Sequence, residues 1–154
     1  MKPLLLLAAL PGAAFAAETG GPIVSAWGPR VGFSAGPDQV VFGGQLDLGG
    51  VQGQQTVGAV NITAAAPSGD TIANGALVAQ SYVASHASGD AVVSANLRGT
   101  NATFTKTGNG TLTLTGDNSY VGATLVSADT LTLSGTGDIN SSGNITINGS
   151  GAKF

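Results

Sequence analysis

Apolar and polar residues alternate along this chain in short bursts, most clearly in Thr103–Leu133, TFTKTGNGTLTLTGDNSYVGATLVSADTLTL. Two Thr-Leu-Thr-Leu runs, Thr111–Leu114 and Thr130–Leu133, lie nineteen residues apart in it. Alternation sets Leu112 and Leu114 on one face and Thr111, Thr113 and Thr115 on the other. So short a strand cannot bury its leucine face alone and needs a copy of itself above or below. Further apolar clusters at Val60–Ile62, Leu77–Val78, Val92–Val93 and Ile145–Ile147 keep a spacing of fourteen to twenty residues. Ser68-Gly69-Asp70 also recurs, as Ser88-Gly89-Asp90, twenty residues on. Such a period predicts an all-β solenoid over 57–154. Its coils would stack at about 4.8 Å and pile their Leu and Ile side chains into shared columns. Each buried Leu, Ile or Val then contributes about 1.5–3 kcal/mol, and outward threonines pair across strands for about 0.2–1 kcal/mol. Corner glycines are expected to supply the positive φ that sharp turns need.

Upstream the pattern is different. Residues 17–56 are punctuated by Gly20-Gly21-Pro22 and Gly28-Pro29 and hold the only tryptophan, Trp27. Within them Gln39–Leu48 alternates over ten residues and predicts one strand. It serves either as part of an irregular N-terminal cap over the first coil or as a spanning strand of an outer-membrane barrel. Met1–Ala16, MKPLLLLAALPGAAFA, has the layout of a signal peptide: one cation, the apolar run Leu4–Leu10, Pro11-Gly12, and small residues before a cleavage point at Ala16/Ala17. That run is far short of the ~20 residues a spanning helix needs. The expected organisation is therefore a leader at 1–16, a cap or linker at 17–56 with a strand at 39–48, and a solenoid at 57–154. The mature chain is expected to be exported and to have no transmembrane helix.

Composition narrows the chemistry. Charged residues are 8 % of the chain, and the formal charge of −3 becomes −4 once Lys2 leaves, with four cations against eight anions. So few Lys and Arg give no footprint for a nucleic-acid backbone, and no nucleic-acid partner is expected. An exported chain without cysteine must rely on ladders and burial rather than disulfides. His86, the only histidine, stands in Ala84-Ser85-His86-Ala87-Ser88 and is expected to be solvated or in a turn. Near neighbours on one strand cannot give a triad of Ser85 or Ser88 with His86 and Asp90 the geometry it needs. Asp70, Asp90, Asp117 and Asp138 each follow a glycine and read as turn caps. Were Asp70 and Asp90 to stack in register, a Ca²⁺ between them would relieve their repulsion. No other cofactor is expected.

The stretch Phe104–Gly151 resembles the autotransporter-associated β-strand repeat, also called the passenger-associated transport repeat. The residues that carry the resemblance are Lys106, Gly108, Gly110, Leu112, Leu114, Gly116, Asn118, Tyr120, Gly122, Thr124, Leu131 and Leu133. Ala123 and Asp129 stand where the family usually has glycine, and Asp tolerates a left-handed turn better than most residues. Family members normally continue into further repeats and a C-terminal translocator barrel, whereas this chain ends at Phe154.

The resemblance implies a right-handed parallel β-helix of the passenger type, exported and displayed at or released from the bacterial surface. The repeat is implied to support structure and secretion rather than catalysis. An adhesin-like, non-enzymatic protein is the leading expectation. Its partners would be host or cell-surface glycans, or copies of itself through an open solenoid edge. A fragment of an outer-membrane barrel and a carbohydrate-active β-helix enzyme are the alternatives. The enzyme would need two carboxyls held about 5–9.5 Å apart.

Overall fold

The computed structural model describes residues 26–27, 39–43, 45–48, 54–65, 71–139 and 143–154. The leader, and Ser68-Gly69-Asp70 with it, lie outside the described residues.

Short alternating segments separated by Gly, Asn and Asp fold as short strands, and among the described residues there is no helix. The strands are β1 (Ala26–Trp27), β2 (Gln39–Gly43), β3 (Gln45–Asp47), β4 (Gln54–Thr56), β5 (Ala59–Ala64), β6 (Ile72–Ala73), β7 (Ala76–Val78) and β8 (Ser81–Ala84). They continue as β9 (Asp90–Val93), β10 (Asn96–Gly99), β11 (Thr103–Lys106), β12 (Thr111–Leu114), β13 (Ser119–Tyr120), β14 (Thr124–Val126), β15 (Leu131–Leu133) and β16 (Ile145–Ile147).

From β2 to β15 every third strand returns to the same sheet, so the chain winds round three faces. The first face is β2-β5-β8-β11-β14-β16, the second β1-β3-β6-β9-β12-β15, and the third β4-β7-β10-β13. All pairings are parallel except β1–β3, an antiparallel pair that closes the N-terminal edge of the second face. The architecture is a parallel β-solenoid, as the periodicity predicts. Outer-membrane barrels are built from antiparallel strands, so the described residues are not a barrel segment. No helix among them is long and apolar enough to cross a membrane.

The register shows where the core sits. On the first face Val60, Tyr82, Phe104 and Thr124 form one inward column, and Ile62, Ala84, Lys106 and Val126 form its neighbour. On the second face Ala91, Leu112 and Leu131 line up beside Val93, Leu114 and Leu133. Leu77 stacks on Leu97 on the third face. The inward members of β8, β9, β11 and β12 are buried while the residues between them keep contact with solvent.

Two expectations are corrected here. Gln39–Leu48 is not one strand: β2 and β3 lie on different faces, and the β2–β5 register shifts between Phe42 and Gly43, an irregularity of the kind that turns a chain round a corner. The apolar clusters also do not share one column. Leu112 and Leu131 do, but Ile145 pairs with Thr124 on another face. Successive windings place a cluster on any of three faces, and a simple count of residues between clusters cannot tell which.

Candidate functional site

The features that set this solenoid apart from a plain apolar stack are concentrated in the coil β11–β12–β13 and its contacts above and below. Its first strand reads Thr-Phe-Thr-Lys, so alternation turns Lys106 inward beside Phe104. Lys106 is 0 % exposed. Its Nζ donates to the carbonyl of Gly108 and, at 3.4 Å, to that of Ala128 in the next coil. Burial pulls the ammonium pKa below its ordinary value, and the Asp129 carboxylate partly opposes that shift.

His86 lies under this coil. The expected solvation is corrected: the side chain is 1 % exposed. Its Nε2 lies 3.0 Å from the Thr111 carbonyl oxygen, which only accepts, so Nε2 carries the proton. The buried Nδ1 has no hydrogen-bond partner among the described residues. Burial lowers the imidazole pKa, with the Thr111 bond opposing and nearby Lys106 reinforcing the shift. Ser85 and Ser88 are exposed while His86 is buried, so no serine–histidine pair assembles.

Glycines make this burial possible. A Cβ at Gly110 would collide with the His86 ring and the Gly89 carbonyl, and one at Gly108 with the His86 carbonyl. Gly116 and Gly122 press in the same way on the carbonyls of Ala95 and Ala102 in the coil beneath. None of these four is among the glycines with positive φ. They are needed for close approach between coils rather than for turning. Left-handed backbone occurs instead at positions such as Gly89, and at Asp129, whose φ is 49°. Asp thus holds the turn where the family usually has glycine, while the other departure, Ala123, lies at an exposed position.

Asn118 joins three coils. Its Oδ1 accepts from the Leu97 N–H at 3.0 Å, and its Nδ2 donates to the carbonyls of Gly116 at 2.7 Å and Asp138 at 3.0 Å. Asn96 Oδ1 accepts the Asp117 N–H at 2.9 Å just outside it. The remaining space is filled by rings. Phe104 stacks between Tyr82 and Tyr120, with centroids 6.2 and 5.8 Å away. The Tyr120 hydroxyl lies 2.7 Å from Thr124 Oγ1. The Tyr82 hydroxyl reaches the third face, 2.6 Å from the Leu77 carbonyl and 2.7 Å from that of Arg98.

The resemblance residues therefore come together as one coil and its seams. Lys106, Gly108, Gly110, Leu112, Leu114, Gly116, Asn118 and Tyr120 build the coil, and Gly122, Thr124, Leu131 and Leu133 build the next. Tyr82 is not singled out by the sequence, although it lies on an alternating strand twenty-two residues before Phe104, and the burial of His86 is not foreseen. Asp117 and Asp138 come into register, whereas Asp70 lies outside the described residues. No group of three or more His, Asp or Glu that could hold a metal occurs among the described residues.

Fold and seams together define a parallel β-solenoid with one specialised coil. Residues 104–128 match the passenger-associated-transport-repeat family model, so the chain carries a copy of that autotransporter-associated repeat. Comparison with curated proteins and with solved structures returns no match.

Proposed function

We propose that this protein is an exported passenger-type β-solenoid, displayed at or released from a bacterial surface, whose work is structural and adhesive rather than catalytic. The observation that carries this is the repeat at 104–128, folded as a coil whose motif positions are spent on joining coils. The burial of the only histidine against the Thr111 carbonyl supports a non-catalytic role. Outward positions such as Asn61, Ser81, Thr103, Thr105, Thr111 and Thr113 carry hydroxyl and amide groups that suit glycan contact, so host or cell-surface glycans are the partners we assign.

Expression of the full chain with its leader in a Gram-negative host, followed by fractionation and N-terminal sequencing, tests the proposal. A mature protein that begins at Ala17 and is recovered outside the cytoplasm is expected. Full-length protein retained in the cytoplasm with Met1 in place would overturn it.

A further inference from the structure

Backbone strain, a nucleophile and a base meet on a single peptide bond at the corner between β14 and β15. Asp129 has a φ of 49°, a left-handed conformation that residues other than glycine adopt at a cost. Thr130 follows it, and its Oγ1 donates to Asp129 Oδ1 at 3.0 Å. The Asp129 carbonyl oxygen accepts the Lys153 N–H at 2.7 Å. The groups just beyond are also held: the Thr130 carbonyl accepts from Leu112 at 2.9 Å, and the Leu131 N–H donates to the Lys153 carbonyl at 3.1 Å.

Neighbouring positions lack one part or another. The other non-glycine residue with positive φ among the described residues, Asn74 at 58°, is followed by Gly75, which has no hydroxyl. One coil below, the register of Leu112 on Leu131 sets Thr111 beneath Thr130, but Thr111 follows Gly110, which has no carboxylate. The departure from the family's usual glycine at 129 is thus what brings a base to this bond.

Together these groups supply what an intramolecular acyl shift needs. A hydroxyl on the residue after a peptide bond reaches that bond's carbonyl carbon through a five-membered ring. A carboxylate already bonded to the hydroxyl can take its proton. An N–H aimed at the carbonyl oxygen stabilises the oxyanion that forms, and the strain at Asp129 favours opening the turn.

We propose that Asp129 and Thr130 cleave the peptide bond between them, once and unaided. The Asp129 carboxylate takes the Thr130 hydroxyl proton, and Oγ1 bonds to the Asp129 carbonyl carbon. The C–N bond then breaks, and the Thr130 nitrogen takes that proton to become a free amine, leaving an ester between the same two residues. Water hydrolyses the ester, breaking the C–Oγ1 bond to give the Asp129 α-carboxyl group and the Thr130 hydroxyl. Both fragments stay in the solenoid, because β15 remains paired with β12 and β16 with β14. The cleavage depends neither on export nor on glycan contact.

Purified full-length chain, incubated at neutral pH with protease inhibitors and then denatured for mass spectrometry, tests the proposal. Two fragments are expected, one ending at Asp129 and one beginning at Thr130, formed at a rate independent of protein concentration. Thr130→Ser should still cleave. Thr130→Val, which keeps the β-branched shape, should stay intact. Asp129→Asn, which also tolerates the left-handed turn, should cleave at least about a hundredfold more slowly. Circular dichroism matching the parent shows that each variant is folded, and either variant alone suffices if the other is not. An intact parent chain, a folded Thr130→Val or Asp129→Asn chain cleaved at the parental rate, or a rate constant that rises with protein concentration would each overturn the proposal.

Discussion

Adding a methyl group at Gly110 would drive it into the His86 ring and the Gly89 carbonyl. Because a backbone carbonyl and a buried, hydrogen-bonded ring both stand in the way, Gly110→Ala is expected to lower stability by about 1–3 kcal/mol, read as a lower urea midpoint with little change in slope. His86 adds a dependence on pH. Its folded pKa lies below the ordinary 6.5, so the unfolded chain takes up the proton first as the solution is acidified. The stability owed to the neutral ring is therefore complete above pH 6.5 and is lost as pH falls toward the folded value. The melting temperature should begin to drop as pH falls below 6.5, ahead of carboxylate titration. In His86→Gln, which keeps a donor for Thr111, that drop should be absent. A variant with the same pH profile as the parent would remove His86 as its source.

Between coils, the strands show what alternation can and cannot convey. Leu112, Leu114 and Lys106 are legible as inward residues because a period of two leaves them no other side. The repeat period likewise conveys the stacking. What stays hidden is which face each strand joins, because parallel register partners lie anywhere from nineteen residues apart, as for Leu112 and Leu131, to twenty-six, as for Leu46 and Ile72. The roles of the motif glycines were hidden for a related reason. A close approach between coils depends on two segments some twenty residues apart, whereas a turn is local. The seam at Asn118 is expected to be the costliest polar contact. Asn118→Ala strands the Leu97 N–H and the carbonyls of Gly116 and Asp138. A loss of about 3 kcal/mol or more follows if those buried groups go unsatisfied. Thermal and urea unfolding of the variant measure it, and a loss below ~1 kcal/mol would mean that water replaces the amide.

For the molecule as a whole, stability is shared between neighbouring coils rather than gathered in one centre. Amide exchange should therefore be slowest in β8, β11 and β12, which have a strand on either side and buried inward residues. It should be fastest in β16, which has one neighbour among the described residues and exposed side chains. Uniform exchange would point to a single all-or-none unit instead. The stack of Tyr82, Phe104 and Tyr120 gives the molecule a built-in optical gauge. The chain has only two tyrosines, and both lie in that stack. Tyrosine ellipticity in the near ultraviolet therefore reports the seam between two adjacent windings and little else. Burial also holds the Tyr82 phenol well above its ordinary ionisation range, so in strong alkali phenolate absorbance from that residue should rise only as the windings come apart.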